Sequence, residues 1–118
     1  MDLVECELCR LVKADTQDMQ VIVLREKEHG RTFPICIGHY EVSVIERHLR
    51  GEATRRPMTH ELLSGVIEAM GGTLVGVAIT DIRDETFFGL LQIDTGDGVL
   101  VEVDCRPSDG IALATLVG

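Results

Sequence analysis

The first third of the chain alternates apolar and polar residues, the pattern of β-strands that bury one face. We predict strands over residues 3–12, 21–26 and 32–37, with polar turns at 15–18 and 28–31 between them. Pro34 has no backbone N–H to donate, so the third strand is expected at a sheet edge or to have Pro34 among its first residues.

The middle of the chain has the three-to-four-residue apolar spacing of amphipathic helices. One helix is predicted over residues 38–50, with Gly51 as its stop. A second is predicted from about residue 59 to 70, ended by the glycines at 71 and 72. The apolar stripe of the second helix comprises Leu62, Leu63, Val66, Ile67 and Met70.

The last third returns to strand patterns, predicted over residues 73–82, 86–94 and 99–105, with turns at 83–85 and 95–98. In the final strand we expect Val99, Val101 and Val103 to face the core, and Glu102 and Asp104 to face solvent. A short helix is predicted over residues 108–116. This order predicts an α+β fold: one compact domain over residues 1–118, with a largely antiparallel sheet and about three helices.

Composition and charge narrow the classes of function. The 118 residues suit one core, and a formal net charge of -9 disfavours nonspecific binding to duplex nucleic acid. Aromatic residues make up only 3%, which argues against a base-stacking platform. Residues 66–118 hold nine acidic side chains against two arginines. The expected anion-attracting surface is a basic cluster earlier in the chain: Arg47, Arg50, Arg55 and Arg56, near His48 and His60.

No targeting or membrane segment is recognisable, because the N-terminus lacks a basic, apolar leader and the apolar runs are short. Because of the short apolar runs we expect no membrane partner. Four cysteines without a secretion signal indicate a reduced cytoplasmic protein. Cys6-x-x-Cys9 and Cys36-x-x-His39 have the composition of a zinc site. Residues three apart on a strand point to opposite faces, so we expect no zinc to be bound there.

Two similar helix starts, at residues 56–61 (RPMTHE) and 106–109 (RPSD), are candidates for an anion site. The first holds Arg56, Thr59 and Glu61, and the second Arg106, Ser108 and Asp109. In each, the hydroxyl residue is placed to cap backbone N–H groups, and those amides beside a guanidinium suit a phosphate. The alternative stays open that the two carboxylates occupy the positive helix ends and pair with basic side chains.

A second candidate is an acid–base or metal cluster near the predicted element ends, formed by His60, Glu61, Asp104 and Asp109. Asp104 and Asp109 lie five residues apart across a strand-to-helix turn, where they could hold a divalent cation such as Mg²⁺ that activates water. The other interpretation is that Asp104 is a solvated strand residue and Asp109 is an acid at the start of a helix. Glu41, in the first turn of the first helix, has the same two interpretations.

Three ordered segments resemble the motifs of one family. Residues 33–41 (FPICIGHYE) look like "Leu-Pro-Ile-x-Ile-Gly-x-x-Glu". Residues 56–63 (RPMTHELL) resemble "Arg-Pro-x-Thr-His-Asp-Leu", and residues 104–114 (DCRPSDGIALA) resemble "Asp-x-Arg-Pro-Ser-Asp-Ala-Ile-Ala-Leu-Ala". The family is the bifunctional nuclease domain, and the resemblance runs from about Leu8 to the end of the chain.

The resemblance implies a compact α+β domain that self-associates, expected here as a dimer, and a nuclease acting on single-stranded DNA or RNA. Carried over by position, it marks acid–base and metal candidates on one hand and phosphate-binding candidates on the other. The first set is His60, Glu61, Asp104, Asp109 and Glu41, and the second is Arg56 and Arg106. Thr59 and Ser108 join the phosphate-binding candidates as the hydroxyl residues of the two helix starts.

Three departures from the family pattern affect this hypothesis. Glu61 stands where the family has Asp, Gly110 stands where it has Ala, and family members commonly continue into a further apolar strand. We therefore expect an open sheet edge. In the leading hypothesis Arg56 and Arg106 hold phosphate, and His60 is the acid or base. Asp104 and Asp109 bind a divalent ion. The alternative is a non-catalytic domain that binds a protein or a small anion, in which the motif residues are caps and ion pairs.

Overall fold

The computed structural model describes residues 5–12, 19–83 and 86–117. The elements are β1 (Cys6–Val12), β2 (Met19–Glu26), β3 (Thr32–Gly38), α1 (His39–Leu49), α2 (Thr59–Ala69), β4 (Thr73–Arg83), β5 (Thr86–Asp94), β6 (Leu100–Cys105) and α3 (Pro107–Val117). This order confirms the predicted α+β class. The strands form two three-stranded antiparallel sheets, β1-β2-β3 and β4-β5-β6.

The contacts within the chain divide it into two units, Met1–Ser43 and Val44–Gly118. The prediction of one domain over residues 1–118 stays a prediction. The predicted turn at 15–18 and residues 84–85 of the turn at 83–85 lie outside the described residues. None of the described helices has the length and apolarity needed to cross a bilayer.

The first unit is built on the β1-β2-β3 sheet. In the β2–β3 register Ile22 lies opposite Ile35, and both side chains are buried, as are Leu24 and Ile37. These β-branched and aliphatic residues supply the buried face that the alternating pattern predicted. β3 is an outer strand, which confirms the edge position predicted from Pro34.

The second unit packs helices on the β4-β5-β6 sheet. α3 packs against β4 and β5, and α2 packs against α3 and β4. Its buried apolar residues include Leu91 of β5 and Ile111, Ala112 and Leu113 of α3. The apolar stripe of α2 is largely outside this core, since Met70 is 81% exposed and Leu62 59%.

A close approach between α3 and β4 explains one departure from the family pattern. A Cβ added to Gly110 would lie 2.6 Å from Cγ1 of Val77, well inside the contact distance of two carbons. The helix therefore gives up the better propensity of Ala at this position because Gly lets it lie closer to the strand.

The helix starts correct the capping prediction. The N-cap residue of α2 is Met58, and no side chain hydrogen-bonds this cap. Met58 has the extended backbone of an N-cap residue, so Thr59 is already helical and does not cap the helix. α3 starts at Pro107, which places Ser108 in its first turn. There the carbonyl of Arg106 accepts hydrogen bonds from two amides of that turn.

The valines of β6 also differ from expectation. Val99, Val101 and Val103 were predicted to face the core, but they are 55%, 39% and 42% exposed. The physical reason is the position of α3, which packs on β4 and β5, whereas β6 lies at the opposite edge of the sheet from β4. The alternating pattern correctly separates two faces, but neither face of β6 is buried at these positions.

Candidate functional site

The starts of α2 and α3 meet through three side chains, which we call the α2–α3 cluster: His60, Arg106 and Asp109. His60 Nε2 lies 2.9 Å from Asp109 Oδ1. Arg106 donates from Nε to Asp109 Oδ2 at 2.8 Å and from Nη2 to Oδ1 at 3.1 Å. The two Arg-Pro segments of the sequence are therefore brought together, and the Asp109 carboxylate joins them.

The solvent exposure of the side chains increases across this cluster from His60 to Arg106. His60 is buried at 4% exposure, the Asp109 side chain is 26% exposed, and that of Arg106 is 68% exposed. The imidazole is held inside the unit while the guanidinium lies at its surface. A carboxylate only accepts hydrogen bonds, so His60 Nε2 carries the hydrogen in this contact and donates it. Its other ring nitrogen, Nδ1, is buried.

Asp109 stays ionised at neutral pH. Burial raises the pKa of this carboxyl, but the hydrogen bonds from Arg106 and His60 and their charges lower it by more, so the pKa lies below its usual range. The first turn of a helix adds a favourable dipole for an anion. The cluster is thus a carboxylate with an imidazole on one side and a guanidinium fork on the other.

A second cluster surrounds the residue that follows His60. Glu61 accepts from Arg47 Nη2 at 3.0 Å and lies 3.3 Å from His48 Nε2, both in the last turn of α1. Thr54 Oγ1 is 3.4 Å from the same carboxylate. Consecutive residues on a helix point about 100° apart, so His60 and Glu61 reach different neighbours. We call this group the Glu61 cluster.

Glu61 is ionised for the same reasons as Asp109. Burial raises the pKa of its carboxyl, and hydrogen bonds from His48, from the backbone and from Arg47 lower it to a net value below the ordinary one. His48 Nδ1 lies 3.0 Å from the carbonyl oxygen of Ala112 and 3.1 Å from Thr115 Oγ1, which ties this cluster to α3. A pocket of about 380 Å³ opens here, with His48, Thr54, Glu61 and Thr115 in its walls.

The remaining candidates are not members of either cluster as defined above. Arg56 and Thr59 are exposed, and the carbonyl of Arg56 accepts a hydrogen bond from Thr54. Ser108 is buried, and Asp104 is exposed on β6. Glu41 belongs to the first unit, where it is buried and its carboxylate lies beside Gly38.

The predicted cation site at Asp104 and Asp109 does not fit the donors that the structure places there. Both oxygens of Asp109 already accept from Arg106 or His60, so a cation would have to displace these bonds. No group of three or more His, Cys, Asp or Glu side chains in the described part of the chain is arranged to hold a metal ion. All four cysteines are free thiols.

Arg47 and His48 are the site residues that sequence reasoning placed differently. The sequence grouped them with Arg50 as an anion-attracting surface. In the structure Arg47 pairs with Glu61, and Arg50, just after α1, pairs at 3.3 Å with Glu46 near the end of that helix. Opposite charges at 47 and 61 were a signal, but only the packing of the end of α1 on the start of α2 makes them neighbours.

With the fold and the site described, comparison with known proteins identifies the family of the chain. Residues 22–118 match the Bifunctional nuclease domain, and the chain belongs to that family. It is 37% identical over 102 residues to "Uncharacterized protein Rv1829" of Mycobacterium tuberculosis strain ATCC 25618 / H37Rv. The match to "Uncharacterized protein MT1877" of strain CDC 1551 / Oshkosh has the same identity and length. Each match covers 86% of this chain and 60% of the relative.

Proposed function

We propose that this chain is a nuclease that hydrolyses phosphodiester bonds of single-stranded DNA or RNA at the α2–α3 cluster. Family membership supports the reaction class. The observation that carries the assignment is the 2.9 Å contact between His60 and Asp109, which joins two of the three family motifs. A carboxylate that accepts from one imidazole nitrogen fixes the orientation and the tautomer of the ring, as a histidine that acts as acid or base requires.

In this proposal water attacks the phosphorus, and His60 Nδ1 takes the proton that the water loses. The protonated imidazole then gives a proton to the leaving ester oxygen, so the histidine returns to its starting state. Arg106 binds a non-bridging phosphate oxygen, because its guanidinium is largely exposed. Since Nδ1 is buried, substrate binding has to shift the start of α2 before this proton transfer.

No step is assigned to a metal ion. Asp109 serves His60 and Arg106, and Asp104 lies on the exposed outer strand. The reaction is therefore expected to continue when divalent cations are removed with a chelator. Asp104→Asn is expected to leave the cleavage rate within about twofold of the original, since the proposal gives it no part in the chemistry.

The test is cleavage of fluorescently labelled single-stranded DNA and RNA by the purified chain, with and without chelator. Asp109→Asn keeps an oxygen that accepts from His60 but removes the charge, and is expected to lower the rate by about 10²–10⁴. Asp97→Asn, in the exposed turn before β6, is the matched control and should cleave at the original rate. Equal rates for the Asp109→Asn and Asp97→Asn variants would reject the assignment.

A second candidate is a non-catalytic interaction domain, and one observation favours it. The carboxylates of Asp109 and Glu61 each already accept from two or more side chains, and His60 is buried. In this case the two clusters are ties that hold α1, α2 and α3 together. The original chain would then cleave neither nucleic acid, with or without Mg²⁺, while Asp109→Asn would still lower its melting temperature.

A further inference from the structure

The four outer strands of the two sheets differ in how they are protected against pairing with another chain. Edge strands are usually blocked by bulges, proline, lysine or a very short length. β1 has a bulge between Leu8 and Arg10, β3 contains Pro34, and the pairing of β4 with β5 shifts twice. Within the described residues, β6 pairs with β5 over six consecutive positions with no shift, and it contains no proline.

β6 is also accessible on both faces. The register places Val101 opposite Ile93 and Val103 opposite Leu91, so these valines share one face of the sheet. Glu102 and Asp104 alternate with them on the other face, and both are exposed. The strand therefore presents a straight backbone edge, an apolar row and an acidic row along the same stretch of chain.

The acidic row decides which kind of strand fits. Two copies of β6 paired antiparallel about Glu102 would place the two Glu102 side chains directly opposite each other. Pairing about Val103 would place Glu102 of each copy opposite Asp104 of the other. Like charges across a strand pair are destabilising, and residues 66–118 are strongly acidic as a whole. A second copy of this chain is therefore disfavoured at this edge.

We propose that β6 docks an extended segment of another protein that carries Lys or Arg at alternate positions and apolar residues between them. The segment adds a fourth strand to the β4-β5-β6 sheet through backbone hydrogen bonds. Its basic side chains lie beside Glu102 and Asp104, and its apolar side chains cover Val101 and Val103. This proposal is independent of the nuclease assignment, since it uses none of the α2–α3 cluster.

The first test uses a labelled seven-residue peptide of alternating Val and Lys, capped at both ends, and measures its binding to the full chain by fluorescence polarisation. The double variant Glu102→Lys/Asp104→Lys is expected to weaken binding at least tenfold. The matched control, Glu68→Lys/Asp97→Lys, changes the net charge equally at exposed positions off the strand. It should bind the peptide within about twofold of the original chain.

A second test separates strand addition from general attraction to an acidic protein. In an extended peptide the N–H groups of alternate residues point to opposite edges. One peptide carries N-methyl groups on all its valines, and another carries them on all its lysines. Strand addition requires one of the two to lose binding at least tenfold and the other to keep it, because only one set of amides faces β6.

The outcomes are decisive in either direction. Selective loss for one methylated peptide, together with loss in the Glu102→Lys/Asp104→Lys variant, supports the proposal. Equal binding of both methylated peptides, or equal weakening in the Glu68→Lys/Asp97→Lys control, overturns it. It is also overturned if the chain alone sediments as a dimer that Glu102→Lys converts to a monomer, because the edge would then be occupied by a second copy.

Discussion

The α2–α3 cluster predicts that Asp109 and Arg106 contribute very unequally to stability. Asp109→Ala removes the acceptor of a buried imidazole, whereas Arg106→Ala removes a guanidinium that is mostly in solvent. Of the three hydrogen bonds within the cluster, Asp109→Ala removes all three and Arg106→Ala removes two. A count of contacts would therefore predict similar losses, and a physical argument based on burial predicts different ones.

The expected losses in the free energy of unfolding depend on whether the group that loses its partner is buried or exposed. A buried donor that loses its acceptor costs about 1–3 kcal/mol, so Asp109→Ala should lower the free energy of unfolding by that amount. An exposed ion pair contributes about 0–1 kcal/mol, so Arg106→Ala should cost less than about 1 kcal/mol. His60→Ala combined with Asp109→Ala should cost less than the two single changes together, since each removes the same bond.

Urea unfolding of the three single variants and the double variant, followed by circular dichroism, measures these differences. The slopes with denaturant have to agree among variants for the comparison to hold. The reasoning would be refuted if Arg106→Ala destabilised the chain as much as Asp109→Ala. It would also fail if the costs of the His60 and Asp109 changes were simply additive, because the two side chains would then not share an interaction.

Two further predictions concern the packing of Gly110 and the loss of stability at low pH. Gly110→Ala should destabilise the chain by about 1–3 kcal/mol despite the better helix propensity of Ala, because its Cβ would meet Val77. Adding Val77→Ala to the Gly110→Ala variant should reduce that loss, and an unchanged melting temperature for Gly110→Ala alone would contradict the packing argument. The pKa values of Asp109 and Glu61 are lower in the folded chain than in the unfolded chain, so in acid the chain takes up protons as it unfolds. The stability that these carboxylates contribute is therefore present above about pH 4.5 and is lost as the pH falls further. Melting temperatures from pH 7 to pH 3 should fall less steeply for Glu61→Gln than for the original chain, and parallel curves would contradict this.

The alternation of apolar residues and the glycine stops were sufficient to predict the order of the elements. β5 has the predicted bounds, and Gly51, which ends α1, has the positive φ of a helix stop. Which strands have a helix packed on them was not predictable in this way. Alternation in β6 separates a valine row from an acidic row, but whether a helix lies over that row depends on the position of α3, a long-range property.

The candidate site was predictable in part for a similar reason. The repeated Arg-Pro starts, each followed by an acid, indicated two ends with related chemistry, and the structure brings His60 of one to Asp109 of the other. The partner of Glu61 was not predictable from its own segment. Arg47 lies 14 residues earlier and belongs to another helix, so local charge patterning grouped it with its neighbours instead.

The length of the side chain at position 61 can be understood from its contacts. The sequence identified Glu61 as a departure from the Asp of the family pattern. In the structure Glu61 reaches Arg47 with one oxygen and His48 with the other, both on α1. Asp is one methylene shorter, so it could not span this distance from the same backbone position. The side chain at 61 is therefore matched to the spacing between α1 and α2, whereas the shorter side chain of Asp109 reaches both Arg106 beside it and His60 on α2.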